Sequence, residues 1–324
     1  MFVKKLSPLY KNIGCFNEGL TSILTERGVG FIDESGEIVI SDMFDKPSYS
    51  MTHMHYGFRE GVSPYVKKQK CGLINKSGDI IVENVWDSIS PVTEGLAAVK
   101  RNGKFGFINS IGEIVIPIKY DFVQLYSEGL SVVNLGEKKM CIDINNQCMF
   151  VLKQESILNY PFKENVSVYT KKTSELKIVY SMIDINGNES ASKYYQYLSS
   201  FYEGLAVANC DGKTIYIDHS ENEVLQSGYD RTGTFRNGFA CVNKNGFFGC
   251  IDKQGKEIIP LIYENHNIYF ESGYAAVMKN GKWGYIDLNN NVIIPFEYEF
   301  AQEIHNKKSI ARKKGAYYLI DFNS

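Results

Sequence analysis

No run of apolar residues in this 324-residue chain approaches the roughly 20 that a membrane-spanning helix needs. Met1 to Pro8 lacks the apolar core of a secretion signal, so residence in the cytoplasm is the expectation. Charge of one sign is also missing: 35 Lys and Arg against 37 Asp and Glu leave a net charge of −2. A nucleic-acid binder would show a basic face instead, so nucleic acid is not the expected partner, and neither is a membrane. Seven cysteines form no C-x-x-C pair and are odd in number, which argues against a zinc site and a disulfide framework. They read as small reduced core residues. Cys241 and Cys250 fall in one expected hairpin. No phosphate-binding glycine loop, G-x-S-x-G elbow or H-E-x-x-H helix occurs, so no catalytic residue and no cofactor is assigned.

What the chain does contain is repetition. Nine times the same short pattern returns, clearest from Gly95 to Pro117 and from Gly273 to Pro295. An anchor glycine opens seven copies, at Gly19, Gly61, Gly95, Gly129, Gly204, Gly238 and Gly273, with Asn165 and Lys307 in its place elsewhere. A second glycine follows at Gly30, Gly72, Gly106, Gly249 and Gly284. Every copy then has an Asp or Asn: Asp33, Asn75, Asn109, Asp143, Asp184, Asp218, Asp252, Asp287 and Asp321. Three residues before the anchor an aromatic recurs at Phe16, Phe58, Tyr126, Phe162, Phe201, Phe235 and Phe270. Such a period means a solenoid, a propeller or a related array.

Within one copy the residues read as three short antiparallel strands. Leu96 to Lys100 and Lys104 to Ile108 flank Asn102 and Gly103, a pair suited to a two-residue hairpin with positive φ. Asn109 to Gly112 forms a turn through Asx side-chain bonding. Glu113 to Ile116 is the third strand, ended at Pro117. A short fourth strand has room before the next anchor. The chain begins in phase with a third strand and stops after a second, so Phe2 to Leu6 is expected to pair near Tyr317 to Ile320. The expected fold is all-β: a single domain over 1–324, nine copies of three- to four-stranded sheets closed into a propeller-like toroid. An open superhelical β-solenoid is the alternative.

The run from Gly281 to Asp287 (G-K-W-G-Y-I-D), with S-G-Y-A-A-V before it and V-I-I-P after, resembles the bacterial WG-repeat proteins, also called KWG proteins. The namesake Trp283 is replaced by Phe105 and Phe248 in other copies. The resemblance extends over nearly the whole chain. It implies a β-rich, propeller-like array acting as a binding module, and it brings no catalytic residues to map.

Several features invite sharper readings. The nine Asp and Asn residues could form a ring of acids for metal ions, but their place in a tight turn already accounts for them. His53 and His55 would share one face of an extended segment, yet a third metal ligand is not evident. Departures from the period are better guides to function. Forty-two residues separate Gly19 from Gly61, against 34 between Gly61 and Gly95. The extra segment, Asp45 to Tyr56, carries Tyr49, His53, His55 and Tyr56, with Arg59 just beyond. These five are the candidate binding residues, because loops that break a repeat often decorate its binding face. A second insertion falls around Lys171 to Leu176. The expected function is a non-catalytic scaffold for a protein or peptide. A carbohydrate or cell-envelope binder is the alternative, with an enzyme of undetected site third.

Overall fold

The computed structural model describes residues 2–46, 57–153, 155–173, 177–190, 193–265 and 267–323. Among these residues there are nine small antiparallel sheets and no helices. Eight of the sheets are meanders of consecutive strands. The third copy is representative: Ser88–Ile89, Leu96–Arg101, Lys104–Asn109 and Ile114–Tyr120 lie side by side in chain order. The short fourth strand therefore exists, as two residues ahead of the anchor. Three sheets lack it or the last strand and have three strands.

Asn102 and Gly103 both take positive φ, 52° and 80°, which makes the two-residue turn type I′. The anchor is a second turn of the same kind. Glu94 and Gly95 have φ of 54° and 79°, and Thr93 and Leu96 exchange backbone hydrogen bonds across them. Just before the turn, the seven recurring aromatics are all buried, from fully enclosed Phe58 and Phe235 to Phe16 at 5% exposure. Val92 and Ile304 fill the same place in the two copies without an aromatic. Residues at this position join the core clusters, and rings such as Phe31 and Phe58 meet there edge to face at 5.0 Å.

The second glycine has a cause that spacing alone does not show. A Cβ on Gly106 would sit 2.6 Å from the Ile116 carbonyl oxygen. There the last strand bulges, since Phe105 pairs with Tyr120 and Phe107 with Ile116. Without a side chain the glycine lets the bulge close against it, and the strand runs on for seven residues. All five copies with this glycine have a seven-residue last strand. Where Met140 or Ile215 stands instead, one register shift disappears and the strand is only four residues. Pro117 corrects the expectation that it ends the strand. It lies exposed inside Ile114–Tyr120, at a bulge on the sheet edge where its missing N–H is not needed.

Packing groups the chain into two compact units, Lys4–Gln154 and Glu155–Ser324 with Met1–Val3. The first holds four sheets. The second holds five, and its last sheet is completed by Phe2–Lys5, which lies beside Ala316–Asp321. The two ends of the chain thus share one sheet, as expected. Nine such sheets with the first strand completing the last are the blades and strand closure of a β-propeller.

Candidate functional site

Of the five candidate binding residues, Tyr49, His53, His55 and Tyr56 lie outside the described residues. Arg59 is exposed, two residues before its anchor, where its N–H donates to the Val62 carbonyl at 2.9 Å. The tip of the other insertion, 174–176, is likewise outside; its flanks extend one hairpin to seven-residue strands, Val166–Lys172 and Ile178–Asp184.

The nine Asp and Asn residues do turn chemistry. Asp184 Oδ1 accepts the N–H groups of Asn186 and Asn188 at 2.9 and 2.8 Å, and Asp287 does the same for Asn289 and Asn291. Burial pushes the Asp184 carboxyl upward, but these donated bonds outweigh it and hold the group below its ordinary range. Among the described residues no group of three or more His, Cys, Asp or Glu is placed to hold a metal ion. The cysteines divide: Cys71, Cys141, Cys241 and Cys250 are buried, whereas Cys15 and Cys148 are exposed and Cys210 is half-buried. The core reading holds only for the first four; Cys15 lies in the loop between Asn12–Ile13 and Leu20–Leu24, and Cys148 opens the strand Cys148–Val151 with its side chain outward.

A carboxylate device that the spacing did not reveal links successive anchors. In the first unit the Glu94 carboxylate accepts the N–H groups of Glu128 and Gly129, and Glu18 grips Glu60 and Gly61 in the same way. In the second unit Glu164 accepts from Gly204 at 3.0 Å and Glu203 from Gly238. The recurring Glu-Gly dipeptide was the available signal. A glutamate at φ near 50° is uncommon, and here its turn points the carboxylate at the next copy.

The turn recurs with Glu at its first residue in six copies and Asn237, Ser272 or Asn306 in the others, whereas the residue two before the anchor varies from copy to copy. In the first unit it is Asn17, Arg59, Thr93 and Ser127. In the second it is Lys163, Tyr202, Arg236, Glu271 and His305. Three of the latter meet in a cleft of about 530 Å³, lined also by Glu164, Glu203, Asn237 and the buried Phe235. Lys163 Nζ lies 3.4 Å above the Tyr202 ring. The Arg236 guanidinium approaches the same ring at 5.5 Å and that of Tyr269 at 4.6 Å. Burial raises the Tyr269 hydroxyl pKa, with Arg236 opposing. The bordering carboxylates are engaged elsewhere: Glu203 also pairs with Lys253 at 3.2 Å, and Glu164 faces His219 at 3.4 Å. The cleft therefore presents two cations steadied on aromatic faces.

A second cavity, about 290 Å³, contains His219 and the buried Glu221, whose carboxylate accepts from Ser190 and, at 3.0 Å, from Tyr195. A serine, a histidine and a buried acid suggest catalysis. Equivalent turn positions argue otherwise, because Asn146 and Asn290 accept Tyr120 and Tyr263 hydroxyls at 2.6 Å in the same manner. Glu221 is the local version of a structural bond.

No curated protein matches the chain. Solved structures similar to it include the WD40 domain of SCAP from fission yeast, 9% identical, with a TM-score of 0.42 over 100% of this chain and 98% of that one. Kluyveromyces lactis Hsv2p is 11% identical at 0.42, over 67% and 86% respectively. The family model described as "WG containing repeat" matches residues 72–105, 105–138, 180–213, 216–246, 248–283 and 283–317. With most of its length matched by that model, the chain belongs to the WG-repeat family.

Proposed function

We propose that this protein is a non-catalytic scaffold that binds a protein or peptide partner through the anchor-turn positions of its second unit. The observation that carries this reading is the contrast within one structural position. The turn keeps positive φ at both of its residues in all nine copies, while the side chain two residues before the anchor ranges from Asn17, Arg59, Thr93 and Ser127 to Lys163, Tyr202 and Arg236. A residue type needed by the fold recurs; one that varies on a fixed frame is free to serve recognition. Tyr and Arg are also the residues that dominate protein interfaces. A sugar ring would need an open aromatic face, and that of Tyr202 already carries Lys163. The proposed setting is the cytoplasm, which keeps buried thiols such as Cys71 and Cys250 reduced.

The test is site-specific photocrosslinking in the native host with p-benzoylphenylalanine at residue 202 or residue 127. The scaffold reading expects a discrete adduct from position 202 and none from position 127. Equal adducts from both, or none from either, would remove it.

A further inference from the structure

The Lys163–Tyr202–Arg236 cleft has an electrostatic character that goes further than binding in general. Neither Lys163 nor Arg236 forms an ion pair or side-chain hydrogen bond among the described residues, although Glu164 and Glu203 border the same cleft. The reason is that those carboxylates are held by Gly204 and Gly238 N–H groups and by His219 and Lys253. A ring face attracts a cation but neutralises none of its charge and occupies none of its N–H donors. Arg236 lies between the rings of Tyr202 and Tyr269, so its guanidinium fork is oriented before any ligand arrives. An oriented fork suits the planar, two-oxygen geometry of a carboxylate. Lys163, on the same ring, supplies a second positive point beside it.

Resting on the binding reading above, we infer that this cleft recognises carboxylate side chains of an acidic peptide segment in the partner. Lys163 and Arg236 receive successive acidic groups, and Tyr202 is the positioning residue between them. Glu271 and His305, at the next equivalent positions, pair with each other at 3.6 Å, so the cationic stretch ends at Arg236.

The experiment uses the full chain and fluorescein-labelled hexaglutamate, with labelled hexaglutamine and a labelled oligo-dT as comparisons, read by fluorescence anisotropy at low salt. Hexaglutamate should bind at least about tenfold more tightly than hexaglutamine, with affinity falling as salt is added. Lys163→Gln combined with Arg236→Gln should weaken hexaglutamate by at least about tenfold. Lys171→Gln, which removes another cation seated on a ring (Tyr194, 4.4 Å), should leave affinity within about twofold, since it lies outside the cleft. Unchanged circular dichroism and melting temperature establish that the variants are folded. Equal binding of the two peptides, tighter binding of oligo-dT, or an unaffected double variant would each overturn the inference. Failure here with a residue-202 crosslink intact would remove the acidic ligand and leave the scaffold reading standing.

Discussion

The carboxylate of Glu94 closes onto the backbone of Gly129, 35 residues away, accepting its N–H at 2.9 Å. The same glutamate also takes the N–H of Glu128, the residue that repeats its own place in the next copy. Glu94 thus satisfies the next turn's donors while its own turn is held by the copy before, where Glu60 accepts from Gly95 at 2.8 Å. The link is charge-assisted, and it recurs, which makes the turn of one copy a template for the next.

Removing that link has a graded outcome. Glu94→Ala should lower stability by about 1 to 2 kcal/mol, because two backbone donors lose a charged acceptor at a partly solvated site. Glu94→Gln retains one acceptor oxygen and should recover part of the loss. Urea denaturation of the three proteins checks the order; equal stabilities would show that the latch contributes nothing.

The bulge glycine offers a sharper test of how sequence sets strand length. Gly106→Ala places a methyl 2.6 Å from the Ile116 carbonyl oxygen and should cost roughly 1 to 3 kcal/mol through overpacking. Amide exchange should accelerate first across Ile116 to Tyr120, where the bulge opens. Uniform protection along that strand would contradict the cause assigned to this glycine.

Strand closure predicts the effect of truncation. Deleting residues 1–8 leaves Ala316–Asp321 as an unpaired edge and removes the buried Leu6. Light scattering of the truncated protein should rise with concentration and its melting temperature should fall. A monodisperse, equally stable product would place the N-terminal strand outside the cooperative fold.

Acid should destabilise the fold. At Glu18, Asp33, Asp184 and Asp321 burial pushes each carboxyl upward, but donated hydrogen bonds outweigh it and leave each below the usual value near 4. At Asp42 and Asp87 the leading cause is the bond from Arg27 and Lys70 respectively, which lowers them directly. A group whose folded value is depressed contributes stability above its unfolded value, and that contribution drains as pH falls through the folded one. The urea midpoint should therefore hold steady from pH 7 to about 5 and drop below about 4. A midpoint that rose on acidification would mean that these carboxylates are raised, not depressed, in the folded protein.

The fold was legible because its causes are local. Period-two strands, Asn102-Gly103 turns and the buried ring before each anchor are all set by residues close in the chain. Pro117 misled because a bulge depends on a partner strand: only Gly106, eleven residues earlier, makes room for the strand to continue past it. The site was harder for the same reason. Lys163, Tyr202 and Arg236 belong to three copies and are ordinary singly; the glutamate latches bring them into one cleft. The insertion from Asp45 to Tyr56 drew notice by its length, whereas the variable position is carried by turns that keep one positive-φ geometry even where Asn165 or Asn237 replaces the usual residue. Recurrence revealed the frame, and the variable place within it became visible only once the turns were aligned in space.

The central claim is that partner recognition resides in those variable side chains and folding in the turns that carry them. Its most direct test gives the second unit the side chains that the third and fourth copies bear at this place, by combining Lys163→Ser, Tyr202→Thr and Arg236→Ser. Quantitative capture from native-host lysate then compares this variant with the unaltered protein, alongside its melting temperature. The account predicts a folded variant with a melting temperature within a few degrees, as expected for surface substitutions, and loss of the captured partner. Retention of the same partner at the same yield by the folded triple variant would contradict it.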